Sequence, residues 1–69
     1  MHQAIHMNLQ EIQTARLATL DTFDTLTALQ VKHGFGTAEW LAIHEVKKLV
    51  LAQTQEFSRM IEQEQAKAG

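Results

Sequence analysis

Glycine occurs only at positions 34, 36 and 69 of this 69-residue chain, and proline does not occur at all. The two residues that most reliably interrupt a helix are therefore missing from two stretches of roughly thirty residues each. In the first stretch Ile5, Leu9, Ile12, Arg16, Leu20, Phe23, Thr27 and Val31 recur at steps of three and four, which places them on one face of a continuous α-helix. In the second, Ile43, Val46, Val50, Phe57 and Ile61 form a similar stripe. Ala42, Leu49 and Met60 widen it on one flank, and Trp40 and Leu51 on the other. A stripe that wide needs more than one neighbour to cover it.

Between the stripes, Lys32-His33-Gly34-Phe35-Gly36-Thr37 reads as a turn. Gly34 suits the left-handed conformation that ends a helix, and the Thr37 side chain suits the cap of the next one. The spacing predicts one domain over residues 1–69, with helix one over about 3–32, a turn at 33–37 and helix two over about 38–66. Each helix would be roughly 45 Å long, and the short connection makes the pair antiparallel. Glu39 would sit at the positive end of the second helix dipole. The threonines between Thr14 and Thr27 lower the intrinsic helix preference of the first, so packing rather than propensity must hold it.

A chain of this size buries only about 60% of the surface it exposes when unfolded. With no cysteine, neither a disulfide nor a zinc-thiolate site can staple it, which leaves association with another chain. The fold class expected is all-α, a two-helix hairpin that dimerises into a four-helix bundle. The expected dimer core is Leu9, Ile12, Phe23, Val46, Val50, Phe57 and Ile61. A fold-back near Phe35 makes residues whose numbers sum to about seventy neighbours, and so sets Arg16 beside Gln53 and Thr54. Arg16 then has two readings: a buried polar layer that fixes register, or part of a binding surface with Leu17 and Leu20. Near the turn, Leu29 and Leu41 fall opposite the main stripes, with Phe35 and Trp40 beside them. They either close the end of the bundle or form an apolar tip for a partner. The partner-binding candidates are accordingly Arg16, Leu17, Leu20, Phe35, Trp40 and Leu41.

Chemistry has little to stand on. There is no glycine-rich phosphate loop, no cysteine nucleophile, and Ser58 is the lone serine, so the chain is read as a non-enzyme that needs no cofactor. Asp21 with Asp24, and Glu62 with Glu64, are paired carboxylates of the kind found on solvated helix faces. His2 and His6 at i, i+4, with Glu64 brought near by the fold-back, have the residue types of a zinc or nickel site. They lie at a chain end without a fourth ligand, and we expect no metal there. His33 and His44 stand alone.

The formal net charge is −2, and the basic residues Arg16, Lys32, Lys47, Lys48, Arg59 and Lys67 form no compact strip, which argues against a nucleic-acid partner. Apolar runs such as Leu49 to Ala52 are too short for a membrane span. The opening Met1-His2-Gln3-Ala4-Ile5-His6 lacks the pattern of a secretory signal, and the expected location is cytoplasmic. In length and connectivity the hairpin resembles plasmid-copy-control RNA-binding proteins of the Rop type, although the basic face those proteins carry on their first helix is absent here. With its helix-one stripe around Arg16, its Gly34-Phe35-Gly36 turn and its stripe through Val50 and Phe57, the chain is also similar in layout to small bacteriophage-encoded antagonists of host proteins. That group includes anti-activators of quorum-sensing transcription factors. This resemblance implies a homodimer that inhibits or sequesters a host regulator. The alternatives are a Rop-like RNA binder and a small structural or chaperone subunit of a larger complex.

Overall fold

The computed structural model describes residues 7–68. Among the described residues the chain is all-helical: α1 spans Leu9–His33 and α2 spans Ala38–Ala68, packed as a hairpin. No strand is present among them.

Helix α1 starts later than the apolar spacing predicts. Asn8 is extended and caps it, its side-chain oxygen accepting from the Glu11 backbone N–H at 2.9 Å, while the Glu11 carboxylate accepts from the Asn8 N–H at 2.9 Å. This reciprocal box satisfies two donors that a helix start otherwise leaves free. A helix running on from Gln3 would need Asn8 in helical geometry, and the box wins that local competition. Ile5 and the His2–His6 pair lie outside the described residues. Replacing Asn8 with alanine is expected to lower stability by about 1 kcal/mol, measurable as an earlier urea midpoint with an unchanged slope.

The threonines of α1 do not leave their hydroxyls idle. Thr14, Thr22, Thr25 and Thr27 each donate to the carbonyl four residues back, and Thr19 to the carbonyl of Arg16. Such back-bonding satisfies the hydroxyl within its own helix, at a small cost to helix stability. At the other end the Gly34 N–H donates to the Gln30 carbonyl, closing the helix with φ at +88°. Gly36 is also left-handed, at +85°. Thr37 then caps α2, its hydroxyl oxygen accepting from the Trp40 N–H at 3.1 Å. Along α2 the ion pairs Lys48–Glu45, Arg59–Glu56 and Lys67–Glu64 are exposed i, i+3 contacts, a class worth a few tenths of a kcal/mol at most.

Two helices make one layer, and the protein is only 14 Å across its thinnest dimension. A stable domain normally packs at least two layers around its core. Here Ile12, 1% exposed, is the single fully buried apolar residue among those described. The other two buried side chains, Gln30 and Thr54, are polar. Leu9, Phe23, Val50, Phe57 and Ile61 are half-buried, whereas Val46, expected in the core, is exposed. No described helix is long and apolar enough to cross a membrane.

Candidate protein-binding surface

The seam between the helices is a ladder of polar contacts. The Thr54 hydroxyl lies 2.7 Å from the Thr19 hydroxyl and 3.0 Å from the Val50 carbonyl, its single proton shared between the two acceptors. One turn along, the Arg16 Nε donates to the Ser58 hydroxyl at 3.0 Å. Towards the turn, buried Gln30 donates its amide to the Trp40 carbonyl at 3.2 Å and accepts from the Lys47 ammonium at 2.7 Å. That ammonium also sits 4.6 Å from the centre of the Phe23 ring, a favourable cation–π position. Among the described residues no buried side-chain nitrogen or oxygen lacks a hydrogen-bond partner, so the seam specifies register without leaving polar groups stranded.

This ladder corrects the expected pairing of Arg16 with Gln53 and Thr54. Helical side chains lean towards their own N-terminus, and in an antiparallel pair that direction on α1 leads to higher numbers on α2. The long Arg16 side chain therefore passes Thr54 and meets Ser58, leaving Thr54 to Thr19. Arg16 is half-buried and makes no ion pair among the described residues. Its outer edge borders a shallow cleft with Gln13, Ser58, Ile61 and Glu62.

The two broad sides of the hairpin differ in chemistry. At 3.6 residues per turn, one side carries Leu17, Leu20 and Val31 from α1 with His44, Lys48 and Leu51 from α2, together with the outer edges of Arg16 and Lys47. A small cleft there is lined by Phe23, His44, Lys47, Lys48 and Leu51. The other side carries Ala18, Thr22 and Leu29 from α1 with Val46, Leu49, Glu56 and Met60 from α2. At its centre a groove of 240 Å³ is lined by Ala18, Thr19, Thr22, Leu49, Val50 and Gln53. Groups of three or more histidine, aspartate or glutamate residues close enough to hold a metal are absent among the described residues.

No protein-family model, curated protein or solved structure matches the chain. The candidate site therefore rests on geometry alone.

Of the six partner-binding candidates, Arg16, Leu17 and Leu20 lie together on the outer half of α1, and Leu17 is 62% exposed. Phe35 stands at the turn, 86% exposed, with its ring edge-on to Trp40 at 4.7 Å. Trp40 is half-buried and stacks on His44 at 5.1 Å, the rings 9° from parallel. Leu41 is exposed but lies one residue, or about 100°, further round α2 than Trp40. The mid-helix group and the turn group are about 20 Å apart along α1, so they are two patches rather than one.

Sequence reading missed the roles of Gln30 and Lys47 altogether. The signal that could have found them is positional: Ile12, Thr19, Phe23 and Gln30 share one narrow face of α1, as Trp40, Lys47 and Thr54 do on α2. By the same geometry Leu20 and Val31, counted in the apolar stripe, fall outside the seam, and both are exposed.

Proposed function

We propose that this protein is a non-enzymatic, homodimeric helical module that binds another protein and sequesters or inhibits it. A transcriptional regulator of the host is the target class that the likeness to small phage antagonists implies. The observation supporting this reading is the mixed polarity of the hairpin: its seam holds hydroxyls, an amide, an ammonium and a guanidinium beside Ile12 and half-buried Phe23, Val50, Phe57 and Ile61, while leucine and valine side chains turn outward. Exposed apolar area on this scale marks interaction surfaces. Arginine and tryptophan within it are the side chains most enriched at binding hot spots.

In this reading one broad side takes the second copy, and the other takes the target through Arg16, Leu17 and Leu20, with Phe35, Trp40 and Leu41 near the turn. Binding works by occupancy alone, and a two-fold symmetric module fits a dimeric target. The test is capture from a bacterial lysate by tagged wild-type protein beside Arg16→Ala and Leu17→Ser variants, each first shown by sedimentation and circular dichroism to be a helical dimer. The expected result is a protein retained by the wild type and reduced at least tenfold by either variant. Equal retention by all three, or recovery of RNA alone, would overturn it.

A further inference from the structure

Resting on the protein-binding reading, we infer the chemistry of the segment that the Arg16 side takes: an amphipathic α-helix whose apolar stripe carries one carboxylate at each end, about three turns apart. The observation that carries this is unmatched charge. Lys48, Arg59 and Lys67 are exposed, and each has a glutamate one turn away. The two cations that the hairpin holds half-buried, Arg16 and Lys47, have no carboxylate within ion-pair distance among the described residues. Their partners are neutral: the Ser58 hydroxyl for Arg16, the Gln30 amide and the Phe23 ring for Lys47. A cation so placed has given up part of its hydration without meeting an opposite charge. A carboxylate brought to it from outside therefore gains more than it would at an exposed lysine.

Both cations are held in place and still have donors to offer. Ser58 takes the Arg16 Nε and leaves the two Nη groups, a fork suited to a carboxylate, without a hydrogen bond among the described residues. Arg16 lines the cleft that Ile61 and Glu62 border. The Lys47 ammonium has three N–H donors; one meets Gln30, and the residue lines the other cleft of this side with Phe23 and Leu51. Because the seam already orders both side chains, little of their freedom is left to lose on binding.

The spacing selects a helix as the occupant. Arg16 meets α2 at Ser58, eleven residues from Lys47, or about 16 Å along the hairpin. Eleven residues turn an α-helix through about 1,100°, close to three full turns, so two carboxylates at that spacing fall on one face of a single partner helix. Between the two cations stand Leu20 from α1 and Leu51 from α2, both exposed, which receive the apolar side chains in the middle of the same face. A helix seated there gives the one-layer hairpin, 14 Å thick, a second layer. Asp24 and Glu62 share this side, and neither makes an ion pair among the described residues. They repel carboxylates placed elsewhere on the partner, which fixes its register, and they disfavour a phosphate backbone, whose charge recurs at every nucleotide.

The test is selection against the immobilised full chain from a displayed library of amphipathic helical peptides of about 18 residues, with the apolar stripe and its flanking positions randomised. Leu51→Glu and Gln53→Glu chains put the same new charge on opposite sides at exposed positions, and circular dichroism first shows both to be helical. The expected result is enrichment of aspartate or glutamate at two positions about eleven apart, with binding weakened at least tenfold by Leu51→Glu and less than threefold by Gln53→Glu. Arg16→Glu is expected to weaken the selected peptide at least tenfold, and a lysine in place of one peptide carboxylate to restore most of that loss on the Arg16→Glu chain alone. Arg16→Gln, which keeps a donor for Ser58, should show the loss without the rescue. Enriched peptides with neutral or basic flanks, acidic ones weakened by Gln53→Glu instead, or no rescue by the lysine exchange would overturn the inference and leave the protein-binding reading standing. A wild-type homodimer that Leu51→Glu dissociates would give this side to a second copy and overturn it as well. No enrichment over the bare support, or uptake of RNA alone, would overturn both.

Discussion

In the proposed homodimer, replacing Val50 by aspartate is expected to abolish dimerisation and most of the helicity at micromolar concentration. Val50 is half-buried in the single hairpin and lines the central groove with Ala18, Thr19, Thr22, Leu49 and Gln53. In an isolated hairpin the carboxylate could turn towards water through that open groove, and the loss would be modest. Under a second copy the same carboxylate is closed in with alanine, threonine and leucine and no cation, and the cost rises to roughly 3–5 kcal/mol, the range for an uncompensated buried charge. The size of the effect therefore reports whether the groove is covered. Phe57→Asp should behave likewise. Circular dichroism and sedimentation on one sample are sufficient; a Val50→Asp protein with wild-type mass and melting temperature would show the groove to be open in solution.

Truncating Ile12 to alanine is expected to be the most damaging apolar deletion in α1, costing about 2–5 kcal/mol. Ile12 is the one described apolar side chain that the hairpin buries fully by itself, and it lies next to the Asn8 cap, whose carbonyl accepts from the Ile12 N–H. A cavity there removes contacts that no other side chain can replace, because the neighbouring layers of the seam are hydrogen-bonded and cannot slide inwards. Urea denaturation should show the midpoint falling while Ile12→Val loses only about 0.5–1.5 kcal/mol. Equal effects from the two substitutions would mean that Ile12 contributes through backbone stiffness rather than packing. On the proposed homodimer both curves should also shift with protein concentration, because folding would then be linked to association.

Helices and turn were legible because glycine and proline act locally: where Gly34 and Gly36 stand, the backbone takes positive φ, and elsewhere nothing interrupts the hydrogen-bonding ladder. The start of α1 was written just as locally, in Asn8 and Glu11, but a longer periodic run of apolar residues masked it. What the sequence did not reveal was the division of labour between faces. Periodicity groups residues by direction around a helix; it does not say which neighbour covers each direction. Leu20 and Val31 belong to the apolar stripe by spacing yet face solvent in the hairpin, while Gln30 and Lys47, which no hydrophobic pattern marks, lie in its seam. For Arg16 the error was one of reach, since residue spacing places Cα atoms and the guanidinium acts several ångströms away.

The polar ladder has a consequence for how such a chain can change over generations. Register between α1 and α2 is set by contacts inside one molecule, Thr19 with Thr54, Arg16 with Ser58, Gln30 with Lys47. The outward leucines are thereby released from the task of closing the hairpin. Substitutions at Leu17, Leu20 or Leu51 can retune what is gripped while the scaffold stays in place, and inheritance should therefore hold the seam fixed and let the outer side diverge rapidly between lineages.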